Sequence, residues 1–191
     1  MRRAERAGEG GRLLLVRHGR TTAPEGAMIG GSDFPLSPEG RLEAQALAGL
    51  LEPRAIGLVL TSPLARARET ADIICGRIGL GPVVVDGLRE IALGLFEGLT
   101  GREARARYPK AWAARGLDRL NARPPGGESY ADLAGRVFPA LDSALAAGDL
   151  DGGTLVVAHR AVIQVILARW RGLDLAACHE IAVGLGSMVV V

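Results

Sequence analysis

Two of the three histidines in this 191-residue chain stand beside an arginine, in Arg17-His18-Gly19 and in His159-Arg160. An imidazole can attack an electrophile or carry a proton near neutral pH. A guanidinium fork fits the oxygens of an anion such as phosphate. Two other segments add complementary groups. Thr61-Ser62-Pro63-Leu64-Ala65-Arg66-Ala67 brings a further arginine, and Leu88-Arg89-Glu90 brings a carboxyl group. Taken singly, none of these is decisive. A lone histidine is more often a structural hydrogen-bonder, a lone arginine is usually solvated, and a lone glutamate usually lies on the surface. What points to chemistry is their joint position, because each segment follows a short apolar run.

Those runs are the elements that must position the chemistry. Leu13-Leu14-Leu15-Val16 predicts a buried strand, and Ile56 to Leu60, Pro82 to Val85 and Thr154 to Ala158 predict three more. Between them lie helical patterns. Ser37-Pro38-Glu39 supplies an N-cap, a proline at the first helical position and an acid in the first turn. Its predicted apolar face is Leu42, Ala46 and Leu50, with a stop at Pro53. Ser62-Pro63 repeats the start signal, with Leu64, Ala67, Ala71, Ile74 and Ile78 on one face and Gly79 near the end. One or two helices are also predicted over about 102–115, further helices over 129–147 (face Leu133, Val137, Leu141) and 162–171, and one or two closing strands in 182–191. Strands alternating with helices imply an α/β fold, a mostly parallel central sheet with helices on both faces in three layers. In such sheets ligands bind beyond the carboxyl ends of the strands, where His18, Arg66, Glu90 and His159 would gather.

Composition sets outer bounds. Hydrophobic residues make up 48% and charged residues 23%, enough to build a core and too ordinary for a disordered chain. The net charge of +2 argues for neither nucleic acid nor membrane as partner, and 4% aromatics leave little for base stacking. No apolar run approaches the roughly 18 residues of a spanning helix, and 1–11 is charged and glycine-rich without signal-peptide character. The expectations are a mobile tail over 1–11, a single domain over 12–191 with a lid-like insertion at 94–128, and a cytoplasmic location. Lys110 is the sole lysine among 23 basic residues. The arginine excess reads either as coding bias or as provision for an anion. Cys75 and Cys178 lack metal-site spacing and read as reduced thiols in or near a core. His179, beside Cys178 and Glu180, has too few potential ligands around it for a metal site and reads as structural or surface. Tyr108 and Trp112 read as packing within the insertion.

Leu15-Val16-Arg17-His18-Gly19-Arg20-Thr21 resembles the signature of the histidine phosphatase superfamily, which has the phosphoglycerate-mutase-like fold. Ser62-Pro63-Leu64-Ala65-Arg66-Ala67 with Thr70-Ala71 is similar to that family's second arginine motif. Leu88-Arg89-Glu90, Gly94 and Phe96-Glu97-Gly98 resemble its acid motif. Pro125-Gly126-Gly127-Glu128-Ser129 and Val156-Val157-Ala158-His159 complete the order, and the resemblance runs from about Leu13 to the C-terminus. It implies His18 as a nucleophile that forms a transient phosphohistidine. Arg17, Arg66 and His159 would hold the phosphoryl group and stabilise its transition state, and Glu90 would act as general acid and then base. Gly19 would allow a tight turn and a close backbone approach, and Thr21 and Arg160 would add phosphate contacts. No metal and no cofactor are implied, because cationic side chains do that work. Two positions depart from the family pattern. Pro24 stands near an expected Asn, and Arg160 replaces the usual Gly after the second His.

The implied partner is a small phosphorylated metabolite, and a homodimer stays open. The chain is short and ends in an apolar segment, which favours hydrolysis over phosphoryl return. The expected activity is therefore a phosphomonoesterase. Pro24-Glu25-Gly26 leading to Gly30, Asp33 and Pro35-Leu36-Ser37 resembles the alpha-ribazole phosphatase group of cobalamin synthesis. A cofactor-dependent phosphoglycerate mutase and a phospho-ligand binding or regulatory module of weak turnover are the alternatives.

Overall fold

The computed structural model describes residues 12–51, 56–148 and 152–191. The expected tail over 1–11 and the stop at Pro53 lie outside them. In chain order the elements are β1 (Leu13–Arg17), α1 (Pro38–Leu51), β2 (Ile56–Thr61), α2 (Ala65–Ile78), β3 (Val83–Val84), α3 (Gly101–Arg107), α4 (Pro109–Leu117), α5 (Tyr130–Ala147), β4 (Gly153–Ala158), α6 (Arg160–Trp170) and β5 (Met188–Val190). The strands form one sheet in the order β3-β2-β4-β1-β5. The first four run parallel, and β5 pairs antiparallel with β1.

Two apolar layers cover the sheet, and the period-two alternation of strand side chains divides them. Leu14, Val16, Val59, Leu155 and Val157 face α1 and α2, packing with Leu47, Leu51, Ala71 and Ile74. Leu13, Leu15, Leu60, Val156 and Ala158 face the other way, toward Leu133, Val137, Leu141 of α5 and Val162, Ile166 of α6. An irregularity in β2 between Ile56 and Leu58 shifts the register. It puts these two residues, which alternation would place on one face, on opposite layers. Every residue of β4, at the centre of the sheet, is buried.

The helices form close to where the sequence placed them, with informative differences. In α1 the buried stripe is Gly40, Ala44, Leu47, Ala48 and Leu51. Leu42 and Leu50 of the expected face are 64% and 61% exposed. Small residues at Gly40, Ala44 and Ala48 let the helix lie closer to its neighbours than leucines would. The one or two helices expected over 102–115 are two, parted at Tyr108 and restarted by Pro109; Thr100 and Glu103 cap the first reciprocally. Ser129 caps α5 in the same way with Asp132. Tyr108 and Trp112 both pack on Phe96, at 5.9 Å between ring centroids. The closing segment forms a single strand of 3 residues, because 182–187 runs as loop beside the sheet. Cys75 and Cys178 are buried, unbridged thiols, and burial pushes each up to about 11. Among the described residues no helix is long and apolar enough to cross a membrane.

Candidate active site

The parallel register brings the two site histidines together. Arg17 lies opposite Ala158, and Thr61 lies opposite Val157. The residues that follow, His18, His159 and Ser62, therefore leave the sheet side by side at its carboxyl edge. The pairing persists one step further. The His18 amide donates to the Ala158 carbonyl at 3.1 Å, and the Ser62 amide donates to the Val157 carbonyl at 3.1 Å. The imidazole centroids are 5.1 Å apart, with the rings tilted by 60°.

Each ring has one nitrogen engaged. His18 Nδ1 is 2.8 Å from the Gly19 carbonyl. A carbonyl can only accept, so Nδ1 carries the hydrogen and Nε2 keeps the lone pair. His159 Nε2 lies 2.7 Å from Ser62 Oγ, while its Nδ1 is buried with no partner among the described residues. Burial lowers the His18 pKa to about 3, with Arg66 and Arg17 adding to the effect against the Gly19 bond. Burial also takes His159 well below the usual range, helped by His18, Arg66 and Arg17. Both rings are neutral at pH 7, and His18 presents a free lone pair.

Around them stand two guanidiniums and a carboxyl group. Arg66 is 1% exposed, and its Nη1 and Nη2 donate to the Ser32 and Gly30 carbonyls at 2.7 and 2.8 Å. Arg17 Nη1 donates to the Val183 carbonyl at 2.8 Å, and its buried Nε has no partner among the described residues. Glu90 accepts from the Ile91 amide at 2.9 Å and weakly from the Ala161 amide at 3.4 Å. Burial raises its pKa, and these amide bonds together with Arg66 and Arg17 oppose the rise. Arg17, His18, Thr21, Arg66 and Glu90 all line one cleft of about 510 Å³. His159 abuts it through the His18 ring.

The remaining expected site residues have different stations. Thr21 Oγ1 accepts from the Ala23 amide at 3.3 Å, which leaves its hydroxyl hydrogen available to the cleft. Gly19 is needed for a reason the sequence did not disclose. It does not adopt a positive φ, and a Cβ there would strike the Gly40 carbonyl of α1. Arg160 is exposed in the first turn of α6, outside the residues lining the cleft, yet near enough for its charge to add to the burial that lowers the Arg17 pKa. Pro24 does line the cleft, on the loop that joins β1 to α1. None of 94–128 lines it; besides Arg17, His18, Arg66 and Glu90 the lining comes from 20–39 and Leu185. His179 is structural: its carbonyl accepts from Gln164, and its ring meets Tyr130 edge-on at 6.2 Å.

The model of the histidine phosphatase superfamily (branch 1) matches residues 13–191. The chain belongs to this family. A bifunctional protein of Mycobacterium tuberculosis is 39% identical over 159 residues, covering 82% of this chain and 43% of that protein. The chain thus corresponds to less than half the length of such relatives. The native structure of a mycobacterial glucosyl-3-phosphoglycerate phosphatase superposes with a TM-score of 0.85 at 34% identity, over 95% of this chain and 90% of that one. The alpha-ribazole phosphatase from Shigella flexneri superposes with a TM-score of 0.83 at 29% identity, over 94% and 89%. The fold is phosphoglycerate-mutase-like.

Some residues of this histidine phosphatase site stood within motifs of the sequence, or outside them, without a role assigned to them. Ser62 read as a helix cap, yet α2 begins at Ala65, and the serine hydroxyl instead meets His159. Asp33, remote in sequence, caps that helix by accepting from the Ala65 amide at 2.6 Å. Glu97 accepts from the amides of Gly30, Gly31 and Ser32 at 2.9, 3.3 and 3.2 Å, and so pins the same loop that Arg66 grips by its carbonyls. Arg136 of α5 holds Glu128 through Nε and Nη2, each at 2.8 Å. It also donates to the carbonyls of Gly87, Arg89 and Glu90 at 2.9, 2.8 and 3.0 Å. The one signal for this strut was Glu128, within the Pro-Gly-Gly-Glu-Ser segment.

Proposed function

We propose that the protein is a phosphomonoesterase that works through a phosphohistidine on His18 and needs no metal. The observation that carries this reading is the free Nε2 lone pair of a neutral imidazole, fixed by the Nδ1–Gly19 bond and facing a cleft that also holds Arg17, Arg66 and Glu90. His18 Nε2 attacks phosphorus in line with the ester oxygen. The N–P bond forms as the P–O bond breaks, and Glu90 delivers its proton to the departing alkoxide. Water then attacks the phosphohistidine, Glu90 takes its proton, and the N–P bond breaks to give inorganic phosphate and free His18. The guanidiniums of Arg17 and Arg66 offset the charge on the equatorial oxygens, and His159 Nδ1 supplies a further donor once Ser62 Oγ donates to Nε2. Among the described residues no group of His, Cys, Asp and Glu is placed to hold a metal ion. The likeness to phosphatases of similar length supports hydrolysis over phosphoryl return.

Similarity supports two leaving groups, the glucosylated glycerate of one structural relative and the alpha-ribazole of the other. The loop 24–37 resembles the second. Phosphate release from a panel of monoesters, in the presence of EDTA, tests the chemistry. His18→Ala is expected to remain folded and lose at least about 10³-fold in kcat. Acid-labile phosphate on the quenched wild-type protein, absent from that variant, is expected as well. Full turnover by His18→Ala, or loss of activity with EDTA, would contradict the mechanism.

A further inference from the structure

The remainder of the cleft lining carries information about the leaving group that the phosphoryl site does not. Beside His18, buried Arg66 and half-buried Arg17 place two positive charges in the cleft, which a phosphate dianion balances. The rest of the lining has a different character. Ala23, Pro24, Ala27, Ile29 and Leu185 give an apolar wall, interrupted by two carboxylates, Glu25 and Glu39. Glu39 is held in place at the start of α1, where Ser37 Oγ donates to it at 2.7 Å. Glu25 is exposed and makes no side-chain hydrogen bond or ion pair among the described residues. The one other cation in the lining, Arg20, is already engaged: its Nε reaches Glu43 at 3.2 Å, and its amide donates to the same carboxylate at 2.8 Å. The arginines of 102–119 line no part of the cleft.

We infer that this cleft selects phosphomonoesters whose leaving group carries no second anionic group and presents hydroxyls together with an apolar surface. The inference rests on the phosphatase reading and narrows it, against the carboxylate-bearing glucosylated glycerate and toward the alpha-ribazole. A carboxylate or second phosphate on the leaving group meets no further unpaired cation among the lining residues, where Glu25 and Glu39 stand exposed, and Arg160 lies outside that lining, on the side of Arg17. Sugar hydroxyls can donate to those same carboxylates. An uncharged ring can cover Pro24, Ile29 and Leu185.

Matched esters test it. Glycerol 3-phosphate and 3-phosphoglycerate differ by a hydroxymethyl group against a carboxylate, and fructose 6-phosphate and fructose 1,6-bisphosphate by a second phosphate. For the wild-type protein kcat/KM is expected to favour the singly phosphorylated, otherwise neutral member of each pair by about tenfold or more. The preference should shrink as ionic strength rises. In Glu25→Gln/Glu39→Gln the same ratio is expected to fall by about tenfold. A ratio near one, a ratio reversed, or a ratio unmoved by the double substitution overturns the inference and leaves the phosphatase reading intact, provided hydrolysis depends on His18. Failure of the wild-type protein to hydrolyse any of the four esters overturns this inference, and failure across the wider panel of monoesters overturns the phosphatase reading as well. Both glutamates are exposed, and a thermal melt identifies a misfolded variant. The wild-type ratio and its salt dependence decide without it.

Discussion

Burying His18 and His159 makes them usable and also makes the fold sensitive to acid. The folded His18 has a pKa of about 3, against an unfolded value near 6.5. Between these values the unfolded chain binds a proton that the folded chain refuses. Stability therefore rises with pH through this window and is lost as pH falls below about 6.5. At pH 5 His18 alone lowers the unfolding free energy by about 2 kcal/mol relative to pH 7.5. His159 acts in the same direction. Glu90, whose folded pKa is raised, favours the folded state at low pH and loses that contribution as pH rises through the folded value. Urea unfolding from pH 5 to 7.5 is expected to show the rise, and His18→Gln should flatten it. The same groups shape the rate. kcat/KM is expected to fall as pH rises through the Glu90 pKa, since the acid form is the donor. Glu90→Gln should abolish that limb and lower kcat by about 10²-fold or more on alkyl esters, and much less on p-nitrophenyl phosphate, whose leaving group needs no proton. His18, Arg66, Glu90 and His159 were legible in the sequence because each sits just past a recognisable strand. Ser62 and Glu97 were not, because their partners lie 97 and 65–67 residues away and no local pattern announces such a pairing.

Between elements, two contacts set the position of the reacting groups. Arg136 ties α5 to three carbonyls of the loop that ends in Glu90, while Glu128 neutralises it. Arg136→Lys keeps the charge but forfeits the fork. It is expected to lower kcat about tenfold with little change in KM, and to displace the alkaline limb of the pH profile. A change confined to the melting temperature would reduce Arg136 to a purely structural brace. The second contact is the crossing of α1 over the loop after β1, where Gly19 and Gly40 touch backbone to backbone. Gly40→Ala would drive a methyl group into the Arg20 carbonyl. It should destabilise by about 1–3 kcal/mol and slow turnover, because the displaced loop carries His18 and Thr21. The boundaries of α1 were legible from Ser37-Pro38-Glu39, but its inner face was not. Two stripes on that helix are apolar, and only packing against α2 decides between them. Leu47→Ala is expected to cost about 2–5 kcal/mol, and Leu42→Gln less than about 0.5 kcal/mol, in denaturant titration.

Across the whole molecule, the alternation of strand and helix made the layered α/β arrangement readable, since a parallel pair of strands requires a crossover. The strand order was not readable. It joins β1 to β4, about 140 residues apart in sequence, and nothing local encodes that partnership. The antiparallel direction of β5 was hidden for the same reason. That last strand has a wider consequence. Leu13 and Val191 exchange backbone hydrogen bonds at 3.3 and 2.9 Å, so the two ends of the described polypeptide meet at the foot of β1, roughly 15 Å along the strand from His18. A neighbouring module fused at either end would hang from the underside and leave substrate traffic unobstructed. Rewiring by circular permutation, with residue 191 spliced to residue 12 and fresh termini cut at Gly79–Gly81, is compatible with the same geometry.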